Sequence, residues 1–137
     1  MTLSPISIAF LIAAAVAPAS AIAAPLTIKS GESWVFELDR GEPVRARRVN
    51  SSAKPAANQI KATVVSTMGT TMTMSNNSRT SYTFHAELVG PAKSGAAKAR
   101  TCTLPATGDP VLEYWPVKSA GVRVSGFKMT SADGNCP

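Results

Sequence analysis

The 137 residues carry 14 Lys+Arg against 8 Asp+Glu, a formal charge of +6, with 45% apolar residues, two cysteines and one histidine. That length gives one domain with a real core and no second one, and one histidine excludes a multi-histidine zinc site. Gly-x-Gly-x-x-Gly, Gly-Lys-Ser/Thr, His-Glu-x-x-His, Gly-x-Ser-x-Gly and Cys-x-x-Cys do not occur, which removes the usual machinery of nucleotide use, metal hydrolysis and serine acyl transfer.

Ile6 to Val16 is apolar and leads through Pro18 into the small-residue run Ala19-Ser20-Ala21-Ile22-Ala23-Ala24. This reads as a signal-peptide helix over 1–23, cleaved after Ala23, followed by a single exported domain over 24–137. Met1 to Pro5 holds no Lys or Arg, so an uncleaved anchor is the competing reading. Export makes Cys102 and Cys136 one disulfide, tying down the C-terminal end, with a chain-entropy contribution of about 4 kcal/mol. The expected location is periplasmic or secreted.

After the leader the chain reads as strands. Leu26 and Ile28 alternate with Thr27 and Lys29, and Trp34, Phe36 and Leu38 share a face opposite Ser33, Val35 and Glu37. Pro43 to Val49 is a basic strand suited to a sheet edge, where proline and charge discourage further pairing. Asn50 to Asn58 is a loop. Ile60, Ala62 and Val64 set an even-numbered apolar face that Met68, Thr70, Met72 and Met74 continue past Gly69. Ser75 to Thr80 has turn chemistry, and Tyr82, Phe84, Ala86 and Leu88 again share one face. The spacing predicts a hairpin with Met74–Tyr82, Met72–Phe84, Thr70–Ala86 and Met68–Leu88 opposite one another.

Gly90 to Arg100 is a basic loop, Thr101 to Pro105 a short strand, and Val111 to Val117 another. The last strand carries Val122, Val124, Phe127 and Met129, with a phase slip at Ser125-Gly126 that predicts a bulge. Turn signals roughly every ten residues fit a sandwich. Thr71 to Leu88 resembles the hairpin of many immunoglobulin-like sandwiches. The expected fold is therefore an all-β, immunoglobulin-like antiparallel sandwich of about seven to nine short strands.

Three chemistries compete. From Pro43 onward basic residues outnumber acidic ones threefold, a surface attracted to polyanions, anionic headgroups or acidic proteins. Arg45, Arg47 and Arg48 are its densest cluster, and guanidinium forks match phosphate and carboxylate. No aromatics interleave them for base stacking. The leading expectation is a non-enzymatic binding module for an anionic macromolecule, without a cofactor. The enzymatic alternative is a small phosphodiesterase with His85 and Glu87 as its acid–base pair. The third uses Met68, Met72 and Met74 as thioether ligands for Cu(I), against their ordinary use as core residues. Trp34 and Tyr114-Trp115-Pro116 are expected to plug the sandwich end, with a glycan or peptide platform as the other option.

Overall fold

In the computed structural model, residues 25–90 and 103–131 are described. The leader, the basic loop after Gly90, Cys102 and Cys136 lie outside those residues. The described chain forms eight strands and no helix: β1 (Leu26–Lys29), β2 (Ser33–Asp39), β3 (Glu42–Val49), β4 (Ile60–Ser66), β5 (Thr70–Asn76), β6 (Ser81–Val89), β7 (Val111–Trp115) and β8 (Gly121–Thr130). They pair into two antiparallel sheets, β3-β2-β4-β5-β7 and β1-β8-β6.

The period-two pattern of each strand supplies one apolar face, and the two sheets bury those faces against each other. Phe36, Ile60, Ala62, Val64, Met72 and Met74 come from the larger sheet; Ile28, Phe84, Ala86, Val122, Val124 and Phe127 come from the smaller. Phe127 is the aromatic hub. Its ring stacks on Phe84 at 5.4 Å and meets Phe36 edge-on at 5.8 Å and Tyr82 at 6.3 Å.

The predicted hairpin is corrected. β5 and β6 lie in different sheets: β5 pairs with β4 and β7, and β6 pairs with β8. The real hairpin is β4–β5, with Ala62 opposite Met74, Val64 opposite Met72 and Ser66 opposite Thr70. Its turn is Thr67-Met68-Gly69, so Met68 stands outside the core at 89% exposure. The segment after β5 crosses from one sheet to the other instead of folding back in the same sheet. Asn76 fixes that crossing. Its fully buried amide donates to the Thr80 carbonyl at 2.8 Å and reaches the Leu104 carbonyl at 3.4 Å, while its oxygen accepts the Ser78 N–H at 2.9 Å.

Two bulges shape the site described below. In β8, Lys128 faces Thr83 but Ser125 faces His85, so Gly126 and Phe127 share one partner position opposite Phe84. Gly126 takes φ 62°, as a bulge with a left-handed first residue needs. The slip read at Ser125-Gly126 is thus present. In β3, Arg47 faces Val35 and Val44 faces Glu37, which leaves Arg45 and Ala46 opposite Phe36. Arg45 absorbs the extra residue at φ 49°.

The β2–β3 turn is Arg40-Gly41, both left-handed, at φ 51° and 81°. A two-residue turn of this kind matches the twist of its strands and favours Asn-Gly. Arginine in the first position costs about 1 kcal/mol relative to a residue at ease there. Gly41 is fixed by close approach: a Cβ there would fall 2.3 Å from the Phe127 carbonyl oxygen, and the Gly41 carbonyl accepts the Phe127 N–H at 2.8 Å. This turn therefore joins the two sheets at one edge.

Candidate functional site

The edge position of β3 agrees with its proline and its charges. Its arginines, however, are divided. Arg45 Nε and Nη2 both donate to Glu37, the Nε at 2.9 Å. Arg48 pairs with Glu32 at 3.0 Å. Arg47 has no ion-pair partner among the described residues. Arg48 lies opposite Trp34 and Arg47 opposite Val35, so the two point to opposite faces of the sheet. The three guanidinium groups are therefore divided between two faces, and two of them face carboxylates.

Glu32 is a polar anchor instead. Its carboxylate takes the Trp34 indole N–H at 2.9 Å, the Lys29 backbone N–H at 3.2 Å and Arg48 at 3.0 Å. The indole bond above all, helped by Lys29 and Arg48 and opposed by desolvation, holds the Glu32 carboxyl below its ordinary range. A lowered pKa means that this interaction stabilises fully above the unfolded value and is lost as pH falls through the folded one. The Trp34 indole N–H resonance should therefore titrate with a midpoint below that of an ordinary glutamate, and Glu32→Gln should abolish the transition. A midpoint at or above the ordinary value overturns this assignment.

His85 and Glu87 lie on the outer face of the smaller sheet, opposite Ser125 and Arg123. His85 is exposed and its ring crosses the bulge, with Cδ2 2.7 Å from where a Cβ on Gly126 would sit. Glu87 pairs with Arg123 at 3.7 Å. The face thus collects histidine, glutamate and arginine, although neither His85 nor Glu87 lines any of the cavities described here. Met72 and Met74 are buried, whereas Met68 is on the exposed turn, so the three thioethers do not share one surface. Among the described residues no group of three or more His, Cys, Asp or Glu is placed to hold a metal ion, and no helix is long and apolar enough to cross a membrane. Trp115 is buried as expected, but Tyr114 is 57% exposed on the outer face of the larger sheet.

Further cations without an ion-pair partner among the described residues stand where the sequence shows no cluster. At the Arg40-Gly41 edge the two sheets part, leaving a cavity of about 440 Å³ floored by Leu38, Tyr82 and Phe127 and edged by Arg40, Lys128 and Met129. A second cavity of about 240 Å³ shares Leu38 and Tyr82 and adds Ile60, Asn58, Arg79 and Glu37. Arg40, Arg79 and Lys128 have no ion-pair partner among the described residues, and Arg40 and Lys128 are exposed. Of the nearby carboxylates, Glu37 and one oxygen of Glu42 accept hydrogen bonds elsewhere, while the second Glu42 oxygen is buried without a partner among the described residues. Glu37 bonds Arg45, the charge of Asp39 acts on Arg45, and Glu42 accepts the Gly126 N–H at 3.3 Å.

The mouth is assembled from the β2–β3 turn, the β5–β6 crossing and β8, three segments far apart in the chain. The available sequence signal was Arg40 before Gly41, an arginine where a tight turn prefers asparagine. A residue held in an uncommon backbone region despite cheaper alternatives points toward a use for its side chain. Comparison with protein families, with curated proteins and with solved structures gives no match for this chain, so the mouth between the sheets is defined by its own geometry.

Proposed function

We propose that this protein is a non-enzymatic binding module of the cell envelope or secreted fraction, with an immunoglobulin-like sandwich as scaffold, that holds an anionic macromolecule. The observation that carries the reading is the concentration of unpaired cations, Arg40, Arg79 and Lys128, around the two adjoining cavities. Charge that is not satisfied internally remains available to a partner, whereas Arg45 and Arg48 already face carboxylates. Export of residues 24–137 and closure by Cys102–Cys136 belong to this proposal, supported by the apolar leader and the presence of two cysteines.

Retention of the purified protein on immobilised polyphosphate tests it. Binding should weaken steeply as salt rises through the range where exposed charges are screened. Replacing Arg40, Arg79 and Lys128 together by serine should lower affinity about tenfold, since exposed charge contacts contribute about 0.5 kcal/mol each. The triple replacement of Arg45, Arg47 and Arg48 should cost less, because two of these guanidinium groups already face carboxylates and only Arg47 is without an ion-pair partner among the described residues. Indifference to salt and to both triple variants sinks the proposal.

One observation favours a second reading. Arg123 joins His85 and Glu87 on the same open face, the trio a phosphodiesterase would use as acid, base and phosphate clamp. RNA cleavage by the purified protein that disappears in His85→Ala would establish it; no cleavage removes it.

A further inference from the structure

We infer that the anionic macromolecule carries an apolar chain beside its charged group, and that the mouth between the sheets receives that part of it, a single-chain amphiphilic anion. The inference rests on the anionic reading above and adds the chemistry of the ligand. The 440 Å³ cavity has a floor of Leu38, Tyr82 and Phe127, all of which belong to or pack against the core cluster. Its volume falls in the roughly 300–1,000 Å³ range of small-molecule pockets, which are mostly apolar with a few convergent polar groups. Arg40 and Lys128 edge that floor, and no carboxylate lines it. A free phosphate or a polyanion without a tail would satisfy the cations and leave the floor wet. A neutral chain would fill the floor and leave two cations without a partner.

Met129 carries the argument further. It sits at the rim with 78% of its surface exposed, although its strand neighbours alternate into the core. A flexible thioether at a cavity mouth adapts to apolar chains of varying shape. Arg40 supplies the second argument. Its left-handed backbone at φ 51° aims a cation from the tip of a turn that glycine or asparagine would form more easily. Charge at the rim and apolar surface at the floor therefore come from different elements and meet only here.

Dodecyl phosphate, kept below its aggregation concentration, is the probe, with dodecyl maltoside as the uncharged chain and polyphosphate as the tailless anion. Dodecyl phosphate should bind about tenfold more tightly than dodecyl maltoside and should displace the protein from polyphosphate. Met129→Gln should weaken dodecyl phosphate severalfold, and by clearly more than it weakens polyphosphate retention. Arg40→Gly should weaken dodecyl phosphate while raising the thermal midpoint, a combination that unfolding cannot produce. Equal binding of the charged and uncharged chains overturns the inference. Polyphosphate retention that saturating dodecyl phosphate does not disturb also overturns it and leaves the anionic reading standing. Failure of polyphosphate and dodecyl phosphate alike overturns both.

Discussion

Replacing Phe127 by alanine is expected to remove about 3–5 kcal/mol of folding stability, the range for truncating a buried aromatic without refilling its space. The ring is 4% exposed and touches three other aromatic rings, one of them across the sandwich. Its backbone is pinned by the bulge at Gly126 and by the bond to the Gly41 carbonyl. The surroundings therefore cannot collapse into the vacated volume, which places the cost toward the top of the range. Urea titration should show a lower midpoint at nearly unchanged slope, since the surface exposed on unfolding hardly changes. Met129→Ala, two residues along the same strand but 78% exposed, should stay within about 0.5 kcal/mol of the parent. A Phe127→Ala cost below about 1.5 kcal/mol would mean that the two sheets do not depend on this contact.

Alternation made the all-β architecture legible, and it also produced the main error. It reports which face of the chain is apolar, not which strand lies alongside. Met72, Met74, Phe84 and Ala86 do share one interior, as their phases require, but they meet across the gap between sheets and not along a ladder. A hairpin and a crossing between two sheets give the same inside–outside pattern, so register matching could not separate them. The turn at Thr67-Met68-Gly69 was hidden because the even phase runs through it unbroken. Thr70, Met72 and Met74 face inward after the turn as Ile60, Ala62 and Val64 do before it. The β8 bulge was readable, because there the phase slips beside a glycine.

The candidate site was legible only in part. The basic edge strand was visible as a local cluster, yet its carboxylate partners come from the neighbouring strand and its approach. Glu32 and Glu37 neutralise two of its arginines once β2 and β3 pair. Arg40, Arg79 and Lys128 are scattered in sequence and carry no spacing that marks them. Only the stacking of two sheets of unequal width brings them to one mouth. A site made by tertiary packing leaves no periodic trace, whereas a site made by one strand does.

Asn76 did leave such a trace, because it occupies the same even phase as Met72 and Met74 and so is an amide where the pattern demands an apolar residue. Asn76→Ala should cost about 2–3 kcal/mol, since it removes a buried donor from the Thr80 and Leu104 carbonyls and an acceptor from the Ser78 N–H. Asn76→Asp should be no better, although it nearly conserves shape. It keeps the acceptor for Ser78 but sets a carboxylate oxygen against two carbonyl oxygens in a buried site. Asn77→Ala, which loses only an exposed bond to the Pro55 carbonyl at 3.0 Å, should cost under about 1 kcal/mol. Urea midpoints rank the three variants, and hydrogen exchange at Ser78 should accelerate most in Asn76→Ala, the only one of the three that removes its acceptor. Because Arg79 rides on this crossing and lines the smaller cavity, a loosened crossing also misplaces one of the mouth cations. Asn76→Ala should therefore lower polyphosphate affinity under conditions where the protein is still folded, by no more than Arg79→Ser does alone. If Asn76→Asp is as stable as the parent, the crossing is held by shape and not by these hydrogen bonds.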